Sequence, residues 1–293
     1  MKKNKFLILL MIVSLTVVSF GGQSQKEAAK FRILLSNDDG ISAIGLEILS
    51  QKLEQIASVD VVAPSRNHSG VSHGLTLDQP LVVTPVKKGE KESWFAADTT
   101  PATCVKLGLE LLLQEKPDLV VSGINNGDNL GVMTFSSGTV GCAREASIKG
   151  IPAIAVSLVK VSDKEKEKLY LEEAADFMTE LIKEIQGKSL KPGWFLNVNY
   201  PNLPRGDIKG VLLVRQDTRA YPNYVYRPNF LEGKFYIWYD FNTIDAGSDD
   251  KTDSWGLRNG FITITPLKID QTDSTALEEL KTWKIVEWKP PSN

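Results

Sequence analysis

Short apolar runs recur along the first two-thirds of this chain, separated by polar segments and by stretches whose apolar residues fall three or four positions apart. Phe31 to Ser36 and Val59 to Ala63 read as strands, and Leu46, Leu49, Leu53 and Ile56 form a helical stripe between them. Pro101 opens a helix carrying Val105, Leu109 and Leu112, after which Leu119 to Ser122 returns as a strand. Val140 to Lys149 then predicts a helix and Ala153 to Val156 a strand. A longer helix places Leu171, Ala174, Met178, Leu181 and Ile185 on one face, and Trp194 to Val198 closes the series. Continuous apolar strands alternating with helices predict a mostly parallel sheet between helical layers, a Rossmann-like three-layer α/β sandwich. From about residue 205 the pattern changes, and β-branched and aromatic segments such as Phe235 to Phe241 and Phe261 to Thr265 predict C-terminal antiparallel β additions.

Residues 1–22 stand outside this pattern. Lys2, Lys3 and Lys5 precede an apolar run from Phe6 to Phe20 and then Gly21 and Gly22, the order of a secretory signal peptide. The run is shorter than the roughly 20 residues that a bilayer requires. The mature chain is therefore expected to begin near Gln23, to lie in the periplasm or outside the cell, and to have no membrane attachment. Losing the leader removes three lysines and no acids, which takes the formal charge from -2 to -5. So weakly acidic a chain is not built to grip a nucleic-acid backbone. Residues 23–293 contain no Pro/Gly/Ser-rich linker and no repeat, and read as one domain. Two cysteines, Cys104 and Cys142, are too few for a disulfide framework. Their small and apolar neighbours point to packing, and the sequence leaves open whether they meet.

The chemistry is expected at the strand ends. The first strand runs into Asn37-Asp38-Asp39-Gly40, placing two carboxylates where open α/β sheets hold ligands. Adjacent carboxylates repel unless a cation sits between them, and a divalent metal is the simplest one; an acidic turn in solvent is the plain alternative. Further polar loops are Pro64 to Gly70 and Gly123 to Asn129. Ser136-Ser137-Gly138-Thr139 leads into a helix, either as an anion-binding N-terminus or as an ordinary cap. Hard oxygen donors match magnesium or manganese, and their company with an anion loop suggests phosphate chemistry. Gly70-Val71-Ser72-His73-Gly74 fits a nucleophile elbow, but the only histidines are His68 and His73, so no downstream base exists. The same count excludes a multi-histidine zinc site, and no Walker loop or dinucleotide fingerprint is present.

Taken together, Ile33 to Gly40, Val62 to Pro64, Arg66-Asn67 with Ser69-Gly70, Val121 to Asn125 and Ser137 to Val140 resemble the SurE survival-protein family of metal-dependent 5'/3'-nucleotidases. Phe195 to Asn199, Thr218-Arg219 and Thr263 to Leu267 are similar to its later segments, so the resemblance covers nearly all of residues 23–293. It implies one divalent ion, Mg or Mn, held by Asp38, Asp39, Ser69 and Asn125. Ser137, Gly138 and Thr139 would lie against the phosphate, with Asn37 and Asn67 as further contributors. The implied reaction is hydrolysis of nucleoside 5'- and 3'-monophosphates, either through an activated water or through direct attack by Asp38 or Asp39. A homodimer or homotetramer is implied too, with a hairpin within 221–245 as the crossing arm or else a simple edge hairpin. A valine at Gly138 is expected to obstruct substrate and leave metal binding largely unaffected. One departure stands out: the family commonly has a glycine and an aspartate where this chain has Thr99 and Thr103. The competing class is a non-catalytic secreted protein that captures nucleotide or phosphate.

Overall fold

β1 (Arg32–Ser36) lies inside a nine-stranded sheet because Ile33, Leu34 and Leu35 are all fully buried, Ile33 and Leu35 in one apolar cluster and Leu34 in another. Successive strand side chains point to opposite faces, so a strand with no polar position must be covered on both. The computed structural model describes residues 30–88, 91–188, 190–219, 224–241, 247–284 and 288, and the expected leader lies outside them.

One face is covered by α1 (Ile44–Leu53), which is followed by β2 (Ser58–Pro64). Leu46, Leu49 and Leu53 are buried as the stripe predicts, and Ile56 packs on the same core from the turn after the helix. Next come β3 (Val83–Lys88), β4 (Lys91–Ala97) and α2 (Pro101–Leu107), whose last turn widens into a π turn over Gly108–Leu112. β5 (Leu119–Asn126) precedes α3 (Gly138–Ile148), which packs with α2 on the opposite face. Cys104 and Cys142 sit there as buried free thiols. Burial pushes both thiols up, that of Cys142 to about 12, so packing is their role. β6 (Ala153–Leu158), α4 (Lys164–Ile185) and β7 (Trp194–Tyr200) complete the wound part. Asp163 caps α4 by accepting from the N–H groups of Glu165 and Lys166. Its Leu171, Ala174, Met178 and Ile182 are buried in the same core as α1.

The remaining elements are β8 (Val211–Leu213), β9 (Tyr224–Leu231), β10 (Lys234–Phe241), α5 (Asp253–Arg258), β11 (Ile262–Lys268) and α6 (Ser274–Leu280). Strand order is β3-β4-β2-β1-β5-β6-β7-β11-β8, parallel from β4 through β7. β11 runs antiparallel to β7, and β8 parallel to β11. β3, which the periodicity did not announce, is an antiparallel edge strand. Pro85, Lys87 and Lys88 suit an edge, where a missing N–H and exposed charges discourage further pairing. Among the described residues β9 and β10 pair only with each other, with the Phe230 and Phe235 rings 5.0 Å apart on an exposed face. Since β1 has β2 on one side and β5 on the other, the winding reverses there and opens a crevice at their carboxyl ends.

Asp253, fully buried at the start of α5, accepts from the N–H groups of Gly131, Asp217 and Ser254 at 2.8, 2.9 and 2.8 Å. Asp217 in turn accepts from Arg219 Nε at 2.9 Å, from its backbone N–H at 3.1 Å and from a terminal guanidinium nitrogen. Those Arg219 donors hold the Asp217 carboxyl down at about 2, below its ordinary 3.8. The stabilisation is therefore present above the unfolded value and lost as pH falls through about 2. Asp217→Asn should cost about 1–3 kcal/mol at neutral pH. In urea titrations at stepped pH, its deficit against wild type should narrow from about pH 4 towards pH 2; a constant deficit would contradict the pairing.

Candidate active site

The end of β1 carries Asn37 and Asp38 out of the core still almost wholly buried. Asn37 shapes this turn: its amide nitrogen donates to Gly40 O at 2.9 Å and its Oδ1 accepts from Gly40 N–H at 3.1 Å. Gly40 has φ 100° and a Cβ there would stand 2.9 Å from the Arg66 carbonyl carbon, so glycine is required for the approach of the 64–70 loop. That loop docks through His68 N–H, which donates to Asp38 O at 2.7 Å.

Asp38 faces α3. Its Oδ1 accepts from Thr139 Oγ1 at 2.5 Å, while a Cβ on Gly138 would lie 2.8 Å from Asp38 Cβ and 3.0 Å from its Oδ2. Ser137 caps the helix by accepting from Val140 N–H at 3.1 Å. The capped start of the helix is therefore pressed against the carboxylate. A side chain at Gly138 would displace Asp38 itself, so the two positions are not independent of each other.

Asp39 faces the other loops. Its Oδ1 accepts from Asn67 Nδ2 and its Oδ2 from Asn126 N–H, each at 3.0 Å. Asn67 also accepts from Ser69 N–H at 2.9 Å, which ties Ser69 to Asp39 through one side chain. Asn125 donates its Nδ2 to Gly127 O at 2.6 Å, leaving its Oδ1 as the available donor atom for an ion. Pairing of β5 with β6 shifts between Ser122 and Asn125, a local irregularity that re-aims the end of β5. Gly138 and Thr139 thus contact Asp38, and Asn67 and Asn126 contact Asp39. Ser69 and Asn125 adjoin them along the chain without bonding either carboxylate.

The electrostatics are lopsided. Burial raises Asp38 to about 6; the Thr139 hydroxyl opposes this and the charge of Asp39 adds to it. Burial likewise raises Asp39, against the donors of Asn126 and Asn67 and with a further push from Glu167. Among the described residues neither aspartate has a Lys, Arg or His partner. No group of three or more His, Cys, Asp or Glu among them is placed to hold an ion, so a cation here would rest on two carboxylates completed by neutral oxygens. His73 bonds Glu145 at 2.8 Å, and the side chain of His68 makes no bond to either aspartate.

Several structural residues carried no signal as single letters. Asn199 Oδ1 accepts from Asn129 N–H at 2.8 Å, while Asn197 and Asn199 donate to Asn129 O at 2.8 and 3.1 Å. This anchors the loop leading to α3 onto β7. Two amides at alternate positions of an otherwise apolar strand were the available clue. Thr103 Oγ1 accepts from Thr76 N–H at 3.0 Å and shares a 2.8 Å bond with Thr100, while Thr99 donates to Thr76 Oγ1 at 2.8 Å.

A model of the survival protein SurE family matches residues 33–223. A protein of Desulforamulus reducens named 5'-nucleotidase SurE is 43% identical over 256 residues, 86% of this chain and 98% of that protein. Its namesake in Caldanaerobacter subterraneus is 37% identical over 257 residues, 87% of this chain and 98% of that protein. The crystal structure of the SurE protein from Aquifex aeolicus superposes with a TM-score of 0.74 at 36% identity, covering 87% of this chain and 99% of that one. Fold, matched span and identity agree, and the chain belongs to the SurE survival-protein family.

Proposed function

We propose that this chain is a divalent-metal-dependent phosphomonoesterase that releases phosphate from nucleoside 5'- and 3'-monophosphates. The observation that carries this reading is the contact of Gly138 and Thr139 with Asp38. A helix N-terminus suited to an anion is packed on a buried carboxylate, and an anion bound there would meet a like charge, a repulsion that a shared cation relieves. The name 5'-nucleotidase borne by the relatives supports the ester class.

Asp38, Asp39, Ser69 and Asn125 would hold the ion. Two carboxylates and neutral oxygens without any soft ligand suit Mg or Mn, and the uncompensated charge on the buried pair favours a dication. When bound, it supplies Lewis-acid polarisation of the phosphoryl oxygen and a lowered pKa for water. The protein's own part is positioning. Thr139 fixes the Asp38 carboxylate, Asn67 and Asn126 fix that of Asp39, and the positive end of the α3 dipole would favour the phosphoryl oxygens as charge builds. We further propose export after loss of residues 1–22 and assembly through the exposed aromatic face of β9 and β10.

Phosphate release from a panel of mononucleotides, with Mg or Mn and with chelator, tests the reading. Wild type should lose activity on chelation and regain it with metal. Asp38→Asn and Asp39→Asn should fall by about 100-fold or more while retaining the wild-type circular dichroism spectrum; near-normal turnover by both would remove the metal assignment. Gly138→Val should lose metal binding together with turnover, since its side chain must push Asp38 aside. Retained Mn affinity in a folded Gly138→Val protein would show that this contact is not rigid. Light scattering should report a dimer or tetramer, and replacing 224–241 by a short Gly/Ser turn should yield monomers; an unchanged mass would take the hairpin out of the interface.

A further inference from the structure

Glu167 lies in the first turn of α4, only 4% exposed, where a carboxylate is costly unless both of its oxygens are paired. They are. Oε1 accepts from Asn126 Nδ2 at 2.9 Å, and Oε2 accepts from Lys164 Nζ at 2.6 Å. Asn126 is also the residue whose backbone N–H reaches Asp39 Oδ2 at 3.0 Å, so an unbroken line of bonds runs from Lys164 to the site carboxylate. Asn126 ends β5 at an exposed position, its backbone paired with Leu158 of β6 and the next N–H, of Gly127, donating to Leu158 O at 2.9 Å. Glu167 grips its side chain from α4, so β6 and α4 together set where its N–H points. Asp39, Asn126, Lys164 and Glu167 share a cleft of about 210 Å³, whose apolar wall includes Ile44, Ile124 and Leu171. Lys164 is well exposed and Glu167 is not, so solvent screens the cation more than the carboxylate and leaves net negative potential on the Asp39 side.

We propose that Glu167 is a positioning residue for the metal site: through Asn126 it holds Asp39 in its ligating orientation, and its charge adds to the field that draws in a dication. This rests on the metal-phosphatase reading above. A carboxylate that merely stitches β5 to α4 would make the fold more stable and leave ion affinity alone, so the two roles separate on measurement.

The full chain carrying Glu167→Ala, Glu167→Gln or Asn126→Ala should be compared with wild type in Mn affinity by titration calorimetry and in melting temperature without metal. The Mn dependence of kcat and KM for one mononucleotide completes the set. Glu167→Ala and Asn126→Ala keep the Asn126 N–H on Asp39 and should weaken Mn binding by about 5- to 10-fold, at or below the lower end of the losses seen on removing a ligand's own partner. Half-maximal turnover should move to higher Mn by the same factor, with nucleotide KM at saturating Mn changed by less than about threefold. Glu167→Gln keeps an acceptor for Asn126 but not the charge, and should fall between wild type and Glu167→Ala. Asn126→Ala cuts the link at an exposed position and reports even where Glu167→Ala fails to fold. A lower melting temperature with unchanged Mn affinity in the variants would reduce Glu167 to a stitch and overturn the proposal alone. A wild-type chain that neither binds Mn nor releases phosphate would overturn the functional reading and this proposal with it.

Discussion

Two neighbouring carboxylates, one almost fully withdrawn from water, have to be kept in place at the end of β1, and the surrounding structure is organised around that demand. A free carboxylate in a dry crevice would take up a proton or turn towards solvent. Here neither aspartate can turn. Thr139 holds one, Asn67 and the Asn126 N–H hold the other, and Gly40 and Gly138 supply the room that lets three loops approach so closely. These partners come from the ends of β1, β2 and β5 and from the start of α3, all brought together where the winding of the sheet reverses.

Much of the scaffold was legible because buried parallel strands have little choice of composition. Ile33, Leu34 and Leu35 need apolar cover on both faces, and a strand of that kind can be recognised without any partner. β3 escaped notice for the opposite reason: Pro85 and the lysines that protect an edge also erase the alternation that would reveal a strand. At the site, Asp38, Asp39, Asn67, Gly138 and Thr139 were visible as residue types at strand and helix ends, and they do meet. Asn37 was visible too, but its side chain is spent on closing the turn, a distinction between shaping and contacting that spacing does not convey. Asn126 was visible only as one letter of the polar loop from Gly123 to Asn129, and Glu167 not at all, because nothing in a charged helix start marks which acid turns inward to bond it.

The threonines at 99 and 103 illustrate how a local departure can be absorbed. A hydroxyl at Thr103 accepts the Thr76 N–H that a carboxylate would otherwise have been suited to accept, and Thr99 reaches the side chain of the same residue. The turn into α2 is thereby tied down by neutral groups.

The strand order also governs when such a site can exist during folding. Asp39 must wait for Asn126, 87 positions further along, and Asp38 for Thr139, 101 positions further along. Contacts of this span form late, after loop-closure entropy has been overcome, and they give the protein a high contact order. No early intermediate built from β1, α1 and β2 alone can offer the ion its full set of partners. A metal ion held there would therefore be unable to nucleate folding. It would act afterwards, drawing the equilibrium towards the finished protein by mass action.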